Sequence, residues 1–247
     1  MRSIFTTYLL WLTMSFVVVS CGRDEFESKR TGKPVKNAIW TLGASRVEGD
    51  PPAFYSYRYD LWKRLLDSQW TFDFVGTQTD EFDYPRYLDK AFDSDHQGHS
   101  GWTSEDILSH ASDWLNLIDT PDIVLLSSPG GNDILEGSAV KNAVTNIEKL
   151  IQKIQSYNPE VVVLIEQMAP AKSSFMTDNM NSSIQSMHDE VNRLCIEYTT
   201  AWSLVEPIDM ADGFKDEFLA DDVHYNQKGA IFIADRYFQE LTQYLKR

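Results

Sequence analysis

The chain is predicted to fold as an α/β protein, a mainly parallel sheet covered on both faces by helices. Three observations carry that prediction. Short apolar runs rich in β-branched and aromatic residues recur at residues 37–43, 71–76, 122–128, 161–167 and 200–206. Segments with helical spacing lie between and after them, at 54–66, 104–118, 140–157, 183–198 and 227–245. Strand therefore alternates with helix, the order that builds parallel sheets through crossover helices. No internal repeat, low-complexity tract or second linker interrupts residues 37–247, so one domain is expected there.

Composition narrows the partners. With Lys+Arg 22 against Asp+Glu 37, the net charge of −15 removes the attraction that dominates binding to phosphate backbones, and no nucleic-acid partner is expected. The chain begins MRSIFTTYLLWLTMSFVVVSCG: a basic start, an apolar stretch and small residues before a cysteine, as in a secretory signal. Val18-Val19-Ser20-Cys21 resembles a bacterial lipobox. Residues 1–20 then read as a lipoprotein signal peptide, with Cys21 lipidated and anchoring the protein to a membrane of the bacterial cell envelope. Residues 21–36 are polar and read as a flexible tether. Cys195 is the one other cysteine; it lies at helical spacing and is assigned to the core.

The first predicted strand ends in LGASRVEGD, which leaves Ser45 just past its carboxyl end. Ligands of open α/β sheets bind at such ends, where loops from several strands converge. Past the second strand and a long loop comes HSGWT, where Gly101 can bring a backbone N–H close to a ligand. After the third comes PGGND, with Asn132 in a tight turn. After the fifth, an acidic loop leads to LADDVHYN, in which Asp221 precedes His224 by three residues.

That spacing lets a carboxylate hold one imidazole nitrogen while the other faces outward, as a general base requires. Ser45 would attack an ester, His224 would carry the proton, Asp221 would orient the histidine, and the N–H groups of Ser45 and Gly101 with the Asn132 amide would form the oxyanion hole. No cofactor is needed. Asp93, Asp95, His96 and His99 crowd one loop, but their spacing matches no metal-binding pattern, and no metal is expected.

Gly43-Ala44-Ser45 with Gly49, Gly101 in SGWT, Gly131-Asn132-Asp133 and Asp221-x-x-His224 resemble, in order, the four sequence blocks of the SGNH/GDSL hydrolases. The resemblance spans most of residues 37–247. It implies a three-layer α/β/α, flavodoxin-like fold with a five-stranded sheet and a metal-independent serine esterase mechanism. It assigns Ser45, Asp221 and His224 as catalytic and Gly101 and Asn132 as oxyanion donors. One position departs: the family usually has Asp where this chain has Ala44.

The HQGHSGWT loop resembles loops of carbohydrate-esterase members of that family. Trp102 and Tyr225, adjoining the candidate residues, offer aromatic faces that could stack on sugar rings. The leading expectation is removal of small acyl groups, acetyl first, from carbohydrate esters. The alternatives are a lysophospholipase or thioesterase acting on longer chains, and a non-catalytic cell-envelope binding lipoprotein.

Overall fold

The computed structural model describes residues 36–247. The signal segment, the lipobox with Cys21 and the tether through residue 35 lie outside the described residues. Five strands, β1 (Ala38–Gly43), β2 (Asp73–Val75), β4 (Ile123–Leu126), β5 (Val162–Gln167) and β6 (Leu204–Asp209), pair in parallel in the order β2-β1-β4-β5-β6. A two-residue strand, β3 (Gln97–Gly98), adds to the far end of β1. Without β3 the order is that of flavodoxin-like sheets, in which the chain reverses direction across the sheet beside the first strand.

Alternate residues of the central strands serve opposite faces. Trp40, Leu42, Val124, Leu126, Val163 and Ile165 pack against α3 (Ser104–Leu117), α5 (Val140–Tyr157) and α6 (Asp178–Tyr198). Ile39, Ile123, Leu125 and Leu164 face α2 (Arg58–Asp67) and α7 (Gln227–Leu241). The result is three layers with two apolar cores, which explains why the central strands read as unbroken apolar runs. Two short helices complete the chain, α1 (Ser45–Glu48) and α4 (Gly131–Leu135), each just after a strand. Cys195 is buried in the first core, and burial pushes its thiol up to about 12. Among the described residues no helix is long and apolar enough to cross a membrane.

Several boundaries differ from the sequence expectation. The last strand lies at 204–209, because Thr200–Ser203 form a turn in which the Ser203 N–H donates to Thr200 Oγ1 (2.9 Å) and Trp202 is exposed. Helix α6 begins five residues earlier than expected, at Asp178, where the Thr177 side chain caps it by accepting from the Met180 N–H. Residues 54–57 precede α2 as an extended turn instead of starting it: Phe54 pairs with Asp50, and the Tyr55 N–H donates to the Tyr225 carbonyl (2.8 Å). That detour brings Phe54 to the carboxyl ends of the strands. Helix α3 starts with a reciprocal cap between Thr103 and Asp106.

Asp93, His96 and His99 of the 93–99 loop turn to separate partners, the His99 ring to the Gln97 amide (2.8 Å). Asp93 accepts from the Phe74 N–H (2.7 Å), and the His96 ring lies 3.2 Å from Asp80 and accepts from the Gly98 N–H. Burial, with the neighbouring charges of Asp73 and Asp95, raises the Asp93 carboxyl to about 6 against the Phe74 hydrogen bond. A carboxyl raised on folding contributes stability in full below its unfolded value and loses it as pH rises toward 6. The variant Asp93→Asn keeps the acceptor and drops the charge. Thermal unfolding should show its Tm above wild type by about 2–6 °C at pH 7.5 and converging with it near pH 4.

Candidate active site

Strand β1 ends where its last residues lie deep between β3 and β4, and the chain turns at once into α1. The Ala44 carbonyl accepts from the N–H groups of Val47 (3.0 Å) and Glu48 (3.1 Å), so Ser45 opens the helical turn with its side chain toward the cleft. The far end of that turn is tied down by the buried Arg58, which donates to the carbonyls of Val47 (2.7 Å) and Glu48 (2.8 Å) and pairs with Asp80 (2.5 Å). Gly98 of β3 allows the turn to sit directly on it: a Cβ there would lie 2.3 Å from the Glu48 nitrogen.

His224 comes from the loop between the 3₁₀ turn Asp216–Phe218 and α7. A Leu219–Tyr225 bridge and a 2.8 Å bond from the Ala220 N–H to the His224 carbonyl close this loop. Its Nε2 lies 2.9 Å from Ser45 Oγ and its Nδ1 lies 2.7 Å from Asp221 Oδ2. The other Asp221 oxygen accepts from the N–H groups of Val223 (2.8 Å) and His224 (2.7 Å). Burial raises this carboxyl, but the donors of His224 and Val223 outweigh it and hold the group down at about 2. Asp221 is therefore an acceptor at any working pH, which places the imidazole hydrogen on Nδ1 and leaves Nε2 to accept from the serine hydroxyl. Phe54 stacks on the imidazole at 4.1 Å between ring centroids.

Gly101 and Asn132 line the same cleft as Ser45 and His224. The Gly101 loop is bound to the serine turn: the His99 N–H donates to the Gly43 carbonyl (3.1 Å) and the Ser100 N–H to Glu48 Oε2 (2.5 Å). An added Cβ at Gly101 would meet nothing within 4 Å, but its φ of +80° favours glycine. Backbone conformation, and not lack of room, thus accounts for the residue. The Asn132 amide donates to the Trp102 carbonyl (2.8 Å), and an amide nitrogen carries a second hydrogen available to a ligand. The adjacent Asp133 accepts from the N–H and hydroxyl of Ser104, docking the start of α3 against α4.

Two cavities meet at Ser45 and Asn132. One is an open cleft of about 910 Å³ whose walls carry Glu48, Asp50, Asp80 and Glu81 beside Gln78 and Phe82. The other is narrow, about 70 Å³, and largely apolar, reaching Ile134, Leu150, Met168, Met180 and Ile184. Of the two aromatic expectations, that for Tyr225 requires correction. Tyr225 is fully buried, its ring beneath the Arg46 guanidinium at 4.7 Å, and cannot meet a sugar. Trp102 lines the narrow cavity and stacks on His99 at 4.1 Å, and its carbonyl orients Asn132.

Two residues of the site were not anticipated from the sequence. Arg46 donates from Nε to the Val223 carbonyl (2.9 Å) and from Nη1 to the Ala169 carbonyl (2.8 Å), joining the serine turn to the histidine loop. A charged residue directly after a turn serine in an apolar setting was the available signal. Phe54 carried none, since its position depends on the turn before α2.

This arrangement of a serine turn, an Asp-x-x-His loop and amide donors on a flavodoxin-like sheet is that of the SGNH class of hydrolases. Residues 67–230 match the model of the GDSL-like Lipase/Acylhydrolase family, and the chain belongs to that family. It is an ester hydrolase. The matched span starts after Ser45. A crystal structure of a carbohydrate esterase family 3 from Talaromyces cellulolyticus superposes with a TM-score of 0.73 at 27% identity, covering 83% of this chain and 96% of the other. An acetyl esterase mutant with acetate ion gives 0.72 at 26% identity, covering 83% and 96%. A Clostridium thermocellum family 3 carbohydrate esterase gives 0.68 at 25% identity, covering 85% and 97%. No curated protein sequence matches the chain.

The tautomer assignment has a direct check. In proton NMR the hydrogen between His224 Nδ1 and Asp221 should give a resonance well downfield of the backbone amides, and Asp221→Asn should abolish it while leaving the fold intact.

Proposed function

We propose that this protein is a serine esterase that releases small acyl groups, acetyl first, from carbohydrate or related esters. The unbroken hydrogen-bond chain from Ser45 through His224 to Asp221 at the edge of an open cleft carries the reading. As Ser45 Oγ bonds to the ester carbonyl carbon, its proton passes to His224 Nε2, and the cation formed is stabilised by Asp221. The carbonyl oxygen becomes an anion that the N–H groups of Ser45 and Gly101 and the Asn132 amide receive. Collapse expels the alcohol, which takes the proton from His224. Water then attacks the acyl-serine with His224 again as base, giving the free acid and restoring the serine.

The cleft supports the alcohol side of this reading. Its carboxylates and Gln78 offer acceptors and donors to a polyhydroxylated leaving group, and its negative rim repels a phosphate-bearing one. The similarity to carbohydrate and acetyl esterases supports it too. The layout of residues 1–21 supports a lipid anchor at Cys21 and a place at the bacterial cell envelope. A second reading, hydrolysis of longer acyl chains, is favoured by the apolar cavity that opens beside Ser45.

Initial rates on aryl esters of increasing acyl length decide between them. The small-acyl reading predicts the highest kcat/KM for acetyl, a fall with each added carbon pair, and a loss of about 10³-fold or more in Ser45→Ala. Rates rising with chain length would move the assignment to lipid or thioester substrates. Wild-type rates in Ser45→Ala would remove the nucleophile.

A further inference from the structure

The nucleophile turn rests on a group that the reaction itself does not use. Glu166, near the end of β5, is fully buried, and its four hydrogen bonds all come from groups able to donate. Oε1 accepts from Ser127 Oγ (2.9 Å) and the Tyr237 hydroxyl (2.7 Å), and Oε2 from the Ser128 N–H (2.7 Å) and Ser128 Oγ (3.1 Å). Such a set of donors suits a carboxylate. Its counter-charge stands one hydroxyl away: Arg46 Nη1 donates to Ser128 Oγ (3.3 Å). Among the described residues Arg46 is in ion-pair contact with no carboxylate, and its remaining bonds go to the carbonyls of Val223, Ala169 and Pro170.

We infer that Arg46, Ser128 and Glu166 form one charge-balanced strut that sets the separation of the nucleophile, the base and the oxyanion donors, and that these three are positioning residues for ester hydrolysis. The inference rests on the serine-esterase reading. Each end of the strut adjoins a working group. Arg46 follows Ser45 directly, its Val223 partner directly precedes His224, and Ser128 opens the loop that leads to Asn132. Ser128 itself is held at a φ of +45°, a left-handed conformation that a serine seldom adopts and that its two bonds to Glu166 maintain. Strands β1, β4 and β5 are thereby joined at their carboxyl ends by side chains where no ladder bond reaches. Ala44 contributes no side-chain bond to this turn.

The test measures kcat, KM and Tm for full-length wild type, Arg46→Lys, Ser128→Ala, Glu166→Gln and the Arg46→Lys/Ser128→Ala double variant, on the aryl ester that wild type cleaves fastest. A displacement of the catalytic groups by about 1 Å costs on the order of 10²-fold in turnover. Losses in kcat of about 10- to 100-fold in Arg46→Lys and Glu166→Gln, with KM unchanged, are expected. The double variant should be no slower than the slower of its two parents, because both remove the same link. A purely structural role predicts lower Tm with wild-type kcat in the folded protein, or losses that multiply, and either overturns the inference. Should Glu166→Gln not fold, the Arg46→Lys and Ser128→Ala cycle decides alone, since it leaves Glu166 three donors. Retention of wild-type rates by Ser45→Ala, measured alongside, would instead fell the esterase reading and the inference with it.

Discussion

The 2.9 Å contact between Ser45 Oγ and His224 Nε2 joins residues 179 apart in sequence, and the rest of the structure can be understood as what holds it. Neither residue is fixed by its own element. Ser45 sits on a single helical turn too short to be stable alone, and His224 on a loop. Both are held from outside: the turn by Arg58 at its far end and by β3 beneath it, the loop by Asp221, by the Leu219–Tyr225 bridge and by Arg46. Parallel strand order supplies the frame, because it brings the carboxyl ends of β1, β3, β4 and β6 to one side of the molecule.

The two halves of an ester would meet different surroundings at this point. One side of Ser45 is open, polar and acidic, and the other is narrow and apolar. The negative rim agrees with the acidity of the whole chain, whose net charge is −15. The groups that would develop charge during reaction are shielded from that field at close range. Arg46 directly follows Ser45, and the Asp221 carboxylate spends one oxygen on backbone N–H groups and the other on the imidazole. An oxyanion forming at Ser45 would therefore face fixed donors despite an acidic exterior.

Much of the fold was legible because burial on both faces leaves a plain mark. The runs at 122–128 and 161–167 contain the unbroken apolar stretches 123–126 and 161–165 and became the two central strands beside β1. Strand β3 was not legible: Gln97-Gly98 carries no strand pattern and pairs only because the loop is laid along β1. The last strand was placed too early because Thr200, Ala201 and Trp202 have strand-like composition, whereas local hydrogen bonds made a turn there and left Trp202 outside. At the site, Ser45, His224, Asp221, Gly101 and Asn132 were placed by their positions after strands, and the structure brings Ser45, His224, Gly101 and Asn132 to one cleft with Asp221 bonded to His224. Tyr225 was misjudged because an aromatic beside a catalytic-type histidine can point either way along the loop, and only packing under Arg46 decides it. Glu166 stayed hidden since a buried charge is recognisable only from its partners, which come here from separate segments.

The proposed reaction requires Ser45 to be the group that takes the acyl or phosphonyl moiety. The measurement that tests this most directly is mass spectrometry of the intact protein and its peptides after incubation with an activated phosphonate ester, a reagent that arrests at the covalent stage. One adduct per chain is expected, carried by the peptide containing Ser45 and absent when His224 is replaced by Ala. An adduct on another residue, or no adduct from a protein that still hydrolyses esters, would contradict it.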